Sequence, residues 1–292
     1  MRDYLTKTMA FNGQFRIYTA NTTRLVTKAQ QVHNTEPVAT TVLGRTLTGT
    51  ALLSAALLKK KGLLTVKIQG NGPLSPIVAD GNAQGQVKGY LHYPESDLPQ
   101  NDSQAISIKQ AVGQKGTLAV TKDLGLKTPF TGQVPLISGE IGQDLTYYLA
   151  KSEQIPSAVG VSVSLKPNSD IKSAGGFLIQ VLPGAQSKLI EKVEKRISSL
   201  PAISALLAED GSLENLIHRI VKTDQVEILT KVPLDYCCNC SKEKFAKALA
   251  SLSAKELETI INEDHQAETI CRFCGKKYFF NESELEKLLK LK

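Results

Sequence analysis

No cysteine precedes Cys237 in this chain of 292 residues, and the whole chain contains no tryptophan. The long cysteine-free segment therefore offers no thiol nucleophile. Other catalytic signatures are missing as well: there is no Walker A sequence, no His-Glu-x-x-His and no Gly-x-Ser-x-Gly. His33 and His92 stand alone, and the short Gly70-Asn71-Gly72-Pro73 segment is typical of a turn. We expect a protein that is not an enzyme and does not bind a nucleotide.

The chain also lacks an uninterrupted apolar run of bilayer length. Residues 38–58 come nearest, but Arg45, several threonines and two glycines interrupt them, which favours a buried helix. Residues 1–5 lack the basic start and apolar run of a signal peptide. The sequence predicts a cytoplasmic location and no membrane partner.

Excess acidic charge is absent, and the formal net charge is +7. Residues 232–292 contain ten basic and ten acidic residues, so the excess positive charge belongs to residues 1–231. A metal-binding module that binds nucleic acid usually carries a basic surface of its own. The charge distribution therefore disfavours a nucleic-acid partner, and a basic N-terminal body is most simply a solubility feature.

A chain of 292 residues predicts two or three domains. Short β-rich segments separated by glycine dominate the first part, and residues 39–58 have the length and apolar faces of a helix. Strands are predicted at residues 63–68, 77–80, 86–91, 116–120, 130–138, 159–165 and 174–182. These patterns predict an α+β domain over residues 1–183, with a large, mostly antiparallel sheet.

The periodicity changes after Pro183-Gly184. Apolar residues at helical spacing predict one helix through residues 189–200 and another through 213–221, with Ser212 as a possible N-cap. We interpret residues 184–231 as a helical linker domain. Residues 232–292 predict a small C-terminal domain, with a helix after Ser241, a capping box at residues 253–256 and a terminal helix over residues 281–292.

All five cysteines lie in that last segment, in two separate clusters. The first cluster, Cys237-Cys238-Asn239-Cys240, contains both Cys-x-Cys and Cys-x-x-Cys, so either Cys237 or Cys238 could be a ligand. The second is Cys271-Arg272-Phe273-Cys274. Two close thiolate pairs predict a tetrahedral metal site, for which zinc is the obvious ion, and such pairs also oxidise readily. His265 is expected to be exposed or to cap a helix.

The cysteine spacing resembles the redox-switch domain of the heat-shock protein 33 family, the redox-regulated holdase chaperones of bacteria. Several segments upstream are similar to the core of that family, so the resemblance runs nearly from end to end. They are residues 43–45 (LGR), 70–73 (GNGP), 120–123 (VTKD), 130–134 (FTGQV), 148–156 and 175–180 (GGFLIQ). The extra Cys237 departs from the pattern, which favours Cys238 with Cys240.

The resemblance implies a mechanism. Cys238, Cys240, Cys271 and Cys274 hold Zn²⁺ in the reduced, inactive protein. Oxidation forms the disulfides Cys238 with Cys240 and Cys271 with Cys274, and zinc leaves. The unfolded tail and linker then expose apolar surface that binds unfolding client proteins without ATP, and the active form is a homodimer.

Two other classes compete with this interpretation. A zinc-ribbon module in a nucleic-acid-binding or translation-associated protein is favoured only by the net charge and the metal site. A thiol-disulfide oxidoreductase needs a Cys-x-x-Cys at the start of a helix in a thioredoxin-like unit, which residues 232–292 do not predict.

Overall fold

The structure is a computed structural model that describes residues 2–59, 62–92, 107–222 and 225–290. It divides into two compact units, one that ends at Cys237 and one that begins at Cys238. The predicted three-part division, with boundaries after residues 183 and 231, is finer than this and stays a prediction. No helix of the described residues is long and apolar enough to cross a bilayer.

The first unit alternates strands and helices along the chain. Its strands are β1 (Tyr4–Ala10), β2 (Phe15–Asn21), β3 (Leu63–Gln69), β4 (Ile77–Asn82), β5 (Gln86–Leu91), β6 (Thr117–Asp123), β7 (Phe130–Pro135), β8 (Ser157–Leu165), β9 (Ile171–Val181), β10 (Val226–Pro233) and β11 (Asp235–Tyr236). Its helices are α1 (Thr23–His33), α2 (Pro37–Leu57), α3 (Ile108–Val112), α4 (Gly142–Lys151), α5 (Ser187–Ser198), α6 (Ile203–Asp210) and α7 (Leu213–Val221).

The strands of the first unit form two sheets. One has the order β10-β1-β2-β9-β8 and the other β11-β5-β4-β3-β6-β7. Every pairing is antiparallel except the short parallel bridge between β11 and β5. The predicted α+β class with antiparallel pairing is confirmed, although the strands are divided between two sheets rather than joined in one.

Helix α2 packs against strands of both sheets and carries much of the main core. Its close packing depends on small residues. A Cβ added at Gly49 would lie 2.4 Å from Leu145 of α4, and one at Gly44 would lie 2.7 Å from Val26 of α1. The helix predicted over residues 39–58 is confirmed, with small differences at both ends. A helix that is apolar on all its faces is buried on all of them, as α2 is over most of its length.

Helices α5, α6 and α7 pack on the opposite face of the five-stranded sheet, in a second cluster that includes Ile17, Phe177 and Ile179. The predicted α5 and α7 are confirmed, and the Ser212 hydroxyl accepts a hydrogen bond from the backbone N–H of Asn215. Residues 226–231 differ from their interpretation as part of the helical linker. They form most of β10, because the open edge of β1 offers them backbone partners.

The second unit contains a two-stranded hairpin and three helices: α8 (Lys242–Ala250), α9 (Ala254–Asp264), β12 (Gln266–Ile270), β13 (Lys277–Asn281) and α10 (Glu282–Leu289). Ser241 caps α8 and a reciprocal capping box begins α9, so these two predictions are confirmed, as is a terminal helix; a second capping box, which was not predicted, begins α10. Residues 291–292 of the predicted terminal helix lie outside the described residues. The described part of this unit has few buried apolar side chains besides Cys271: Leu257, Ile261, Tyr278, Phe280 and Leu285.

Candidate metal centre

Two loops of the second unit present the cysteines. Cys238 and Cys240 lie just before α8, and Cys271 and Cys274 lie in the turn between β12 and β13. The backbone N–H groups of Cys274 and Gly275 both donate to the carbonyl of Cys271, at 3.3 and 2.8 Å. Gly275 has φ +70°, a conformation that glycine adopts without strain. This tight turn brings both cysteines to the same end of the hairpin.

The four sulfurs form a compact group. The Sγ atoms of Cys238, Cys240, Cys271 and Cys274 all lie within 4.8 Å of one another. The Cys238 and Cys271 sulfurs are 3.7 Å apart, and those of Cys240 and Cys274 are 3.4 Å apart. Four sulfurs bound to one tetrahedral zinc at about 2.3 Å would be about 3.8 Å apart. The sulfur positions therefore fit a four-thiolate metal site.

The hairpin supports the cluster from one side. The Tyr278 hydroxyl donates a hydrogen bond to Cys240 Sγ at 3.2 Å, and the ring of Phe245 from α8 packs on the Tyr278 ring with centroids 5.1 Å apart. Cys271 is buried, whereas the other three cysteines of the cluster are half-buried. The sulfurs are therefore partly shielded from water but remain within reach of small solutes.

Cys238, Cys240 and Cys274 differ in their pKa values. Burial raises the pKa of Cys238 to about 12, and burial also raises the pKa of Cys274. Burial opposes ionisation of Cys240 too, but hydrogen bonds from Tyr278 and the neighbouring thiols outweigh it and lower the pKa of Cys240 to about 7. Protons are thus held by the metal-free cluster at neutral pH, and a metal that binds four thiolates must displace them.

The remaining sequence candidates lie elsewhere. The backbone N–H of Cys237 donates to the carbonyl of Val87 at 3.0 Å, which extends the β11–β5 bridge of the first unit, and Cys237 is not among the four clustered cysteines. His265 ends α9 in the left-handed conformation and is exposed. His33 hydrogen-bonds the Tyr236 hydroxyl at 3.0 Å. None of these side chains joins the cluster.

Tyr278 was not identified from the sequence as part of the site. A signal was present, because Lys277-Tyr278-Phe279-Phe280 follows Cys274 closely and a strand places Tyr278 and Phe280 on one face. Recognising its role also required the pairing of β13 with β12, which brings this face against the cysteines.

The fold and the cluster define a protein with an α+β body and a small module whose four clustered cysteines could hold a metal ion. A family profile described as "Hsp33 protein" matches residues 3–281. The chain belongs to the Hsp33 family, a family of chaperones.

Its relatives agree with this assignment over the whole chain. The chain is 53% identical over 289 residues to the 33 kDa chaperonin of Latilactobacillus sakei, covering 99% of each chain. It is 52% identical over 289 residues to the 33 kDa chaperonin of Levilactobacillus brevis, covering 99% of this chain and 98% of the relative. A crystal structure of the 33 kDa chaperonin from Thermotoga maritima superposes with a TM-score of 0.88 at 37% identity, covering 100% of this chain and 99% of that one.

Proposed function

We propose that this chaperone is a redox-regulated, ATP-independent holdase whose switch is the four-cysteine cluster. The observation that carries the proposal is the placement of four sulfurs within 4.8 Å in a unit whose described residues include, besides Cys271, only five buried apolar side chains. Zinc, bound to Cys238, Cys240, Cys271 and Cys274, would supply the cross-link that such a small core lacks. The reduced form is then folded and inactive.

The cluster joins parts of the second unit that are distant in sequence. Cys238 and Cys240 fix the segment before α8, whereas Cys271 and Cys274 fix the β12–β13 turn, which follows both α8 and α9. Loss of the link between these loops leaves only a small set of buried apolar side chains, among them Ile261, Phe280 and Leu285. We expect this remainder to be unstable, so that its apolar side chains become exposed to clients.

Activation is a two-electron oxidation of each cysteine pair. Two thiolates and one hydrogen peroxide, with two protons, give one disulfide and two water molecules, and the disulfide no longer binds the metal. Cys240 is half-buried, so small oxidants can approach it. The pairing we propose is Cys238 with Cys240 and Cys271 with Cys274, as the sequence resemblance implies.

The chaperone acts on unfolded or partly folded proteins, and we propose that it does so in the cytoplasm under oxidative and heat stress, as a homodimer once oxidised. It needs neither a nucleotide nor a catalytic residue in this scheme. Residues 232–292 have balanced charge, which supports a protein client rather than a nucleic acid as the partner.

Aggregation of a heat-denatured client, followed by light scattering beside a zinc indicator, tests this function. Peroxide treatment should release zinc and start protection of the client without ATP, and reductant with zinc should reverse both. Peptide mapping of the oxidised chain tests the disulfide pairing. Equal protection by the reduced, zinc-loaded form would show that the cluster is only a structural site.

A further inference from the structure

A row of polar side chains crosses one face of the five-stranded sheet. Arg16 on β2 lies opposite Gln180 on β9, and in the next row Lys7 on β1 lies opposite Tyr18 on β2. Residues opposite each other in a ladder, and residues two apart in a strand, project from the same face. Lys7, Arg16, Tyr18 and Gln180 therefore form one group, which we name the Lys7–Arg16 cluster.

The cluster contains hydrogen-bond donors that have no acceptor. Gln180 is only 2% exposed, and its Nε2 has no hydrogen-bond partner among the residues that the structure describes. Arg16 Nε is also buried, again with no partner in the described part of the chain. A buried donor that is left unpaired destabilises the folded state, so an acceptor that reached these groups would bind favourably. Burial raises the pKa of Tyr18, and although the nearby Arg16 opposes this rise, the Tyr18 hydroxyl keeps its proton to donate.

The two cations of the cluster are not engaged in any ion pair of the described residues. Within the part of the chain that the structure describes, the ion pairs include neither Lys7 nor Arg16. Burial, followed by the charge of Arg16, lowers the pKa of Lys7. Glu227 of β10 lies opposite Met9 and shares this face, but its side chain is exposed and none of those pairs includes it. Lys7 and Arg16 therefore have no ion-pair partner among the residues that the structure describes.

We propose that the Lys7–Arg16 cluster binds a phosphate group. Two positive charges match a divalent oxyanion, and a guanidinium is well suited to bind phosphate oxygens in pairs. Lys7 and Arg16 are half-buried, so they connect the solvent to the more deeply buried Gln180 amide. A monoanionic carboxylate would leave one of the two positive charges unbalanced.

Binding to the full-length, reduced and zinc-loaded chain tests the site. Titration with inorganic phosphate against chloride at equal ionic strength should show binding at millimolar concentration or below, with a rise in the melting temperature. Arg16→Gln and Lys7→Gln should each weaken binding about tenfold, the effect of losing one charge-assisted hydrogen bond. The control Lys172→Gln removes an exposed charge elsewhere on β9 and should leave binding unchanged.

A further variant gives a test that does not depend on a substitution of a buried residue. Glu227 is exposed, so Glu227→Gln should fold normally, and it should tighten phosphate binding because it removes a nearby negative charge. Glycerol phosphate in a parallel titration distinguishes a site for esterified phosphate from one for the free ion. The proposal is wrong if phosphate does not bind, if acetate binds equally well, or if Lys172→Gln weakens binding as much as Lys7→Gln.

Discussion

The hydroxyl of Tyr278 donates a hydrogen bond to the sulfur of Cys240, at 3.2 Å. The tyrosine thus acts directly on a sulfur of the candidate metal centre. A hydrogen bond to a thiolate stabilises its negative charge, and it thereby lowers both the pKa and the nucleophilicity of that sulfur. Tyr278 should therefore influence how tightly the cluster holds a metal and how fast it is oxidised.

Tyr278→Phe removes this donor and keeps the ring against Phe245. We expect zinc affinity to fall about tenfold, as for other residues that support metal ligands, and peroxide-driven zinc release to become faster. Competition with a chelator and stopped-flow zinc release measure the two effects. Tyr4→Phe, a change in the first unit, is the matched control, and identical behaviour of the two variants would exclude this role.

Cys237 and Cys238 are adjacent but should differ in function. Cys237→Ser should keep one zinc per chain, because Cys237 is not in the sulfur group, whereas Cys238→Ser removes one of the four clustered sulfurs and should lower zinc affinity strongly. Elemental analysis after dialysis against a weak chelator measures both. The opposite ranking would make Cys237 the ligand.

Removal of the metal should unfold the second unit selectively. Its small core cannot replace the cross-link, whereas the first unit has an extensive core of its own. Hydrogen exchange of the reduced chain with a strong chelator should show lost protection in residues 238–290 and retained protection in the strands of the first unit. Retained protection in both would show that the metal is not needed for folding.

Asp3 should make the stability of the first unit depend on pH. Its carboxylate is buried and accepts the backbone N–H of Leu25 at 2.7 Å, and burial raises its pKa to about 6 from an ordinary 3.8. A raised pKa favours the protonated form in the folded state. The contribution to stability is thus present below about pH 4 and is lost as the pH rises through 6.

Asp3→Asn removes this titration. Between about pH 4 and pH 7 the wild-type free energy of unfolding should fall by up to about 3 kcal/mol relative to the variant. Urea unfolding of both proteins across this range measures the difference. Asp235→Asn, at an exposed position, is the control, and a parallel pH dependence of wild type and Asp3→Asn would contradict the prediction.

Local signals predicted many elements well. Ser253 and Glu256 mark the start of α9, and the apolar run of α2 specified a buried helix, because these patterns act between residues close in sequence. The cysteine spacing also predicted a four-thiolate cluster, but it left Cys237 and Cys238 as alternatives, and only the family resemblance favoured Cys238, which is the one that lies in the cluster. The pairing of strands that are far apart in sequence could not be predicted from such local patterns. No strand was predicted at residues 226–231, which form most of β10, because the partner of β10 is β1 at the other end of the first unit in sequence.

The pairing of β1 with β10 also has a consequence for synthesis of the protein on the ribosome. Tyr4 pairs with Pro233, so nearly the whole first unit is synthesised after β1 and before its edge partner is complete. At about 5–20 residues per second, roughly 10–50 seconds pass between the synthesis of β1 and that of β10. During that interval β1 has a bare backbone edge, and the nascent chain is itself a candidate for protection by other chaperones.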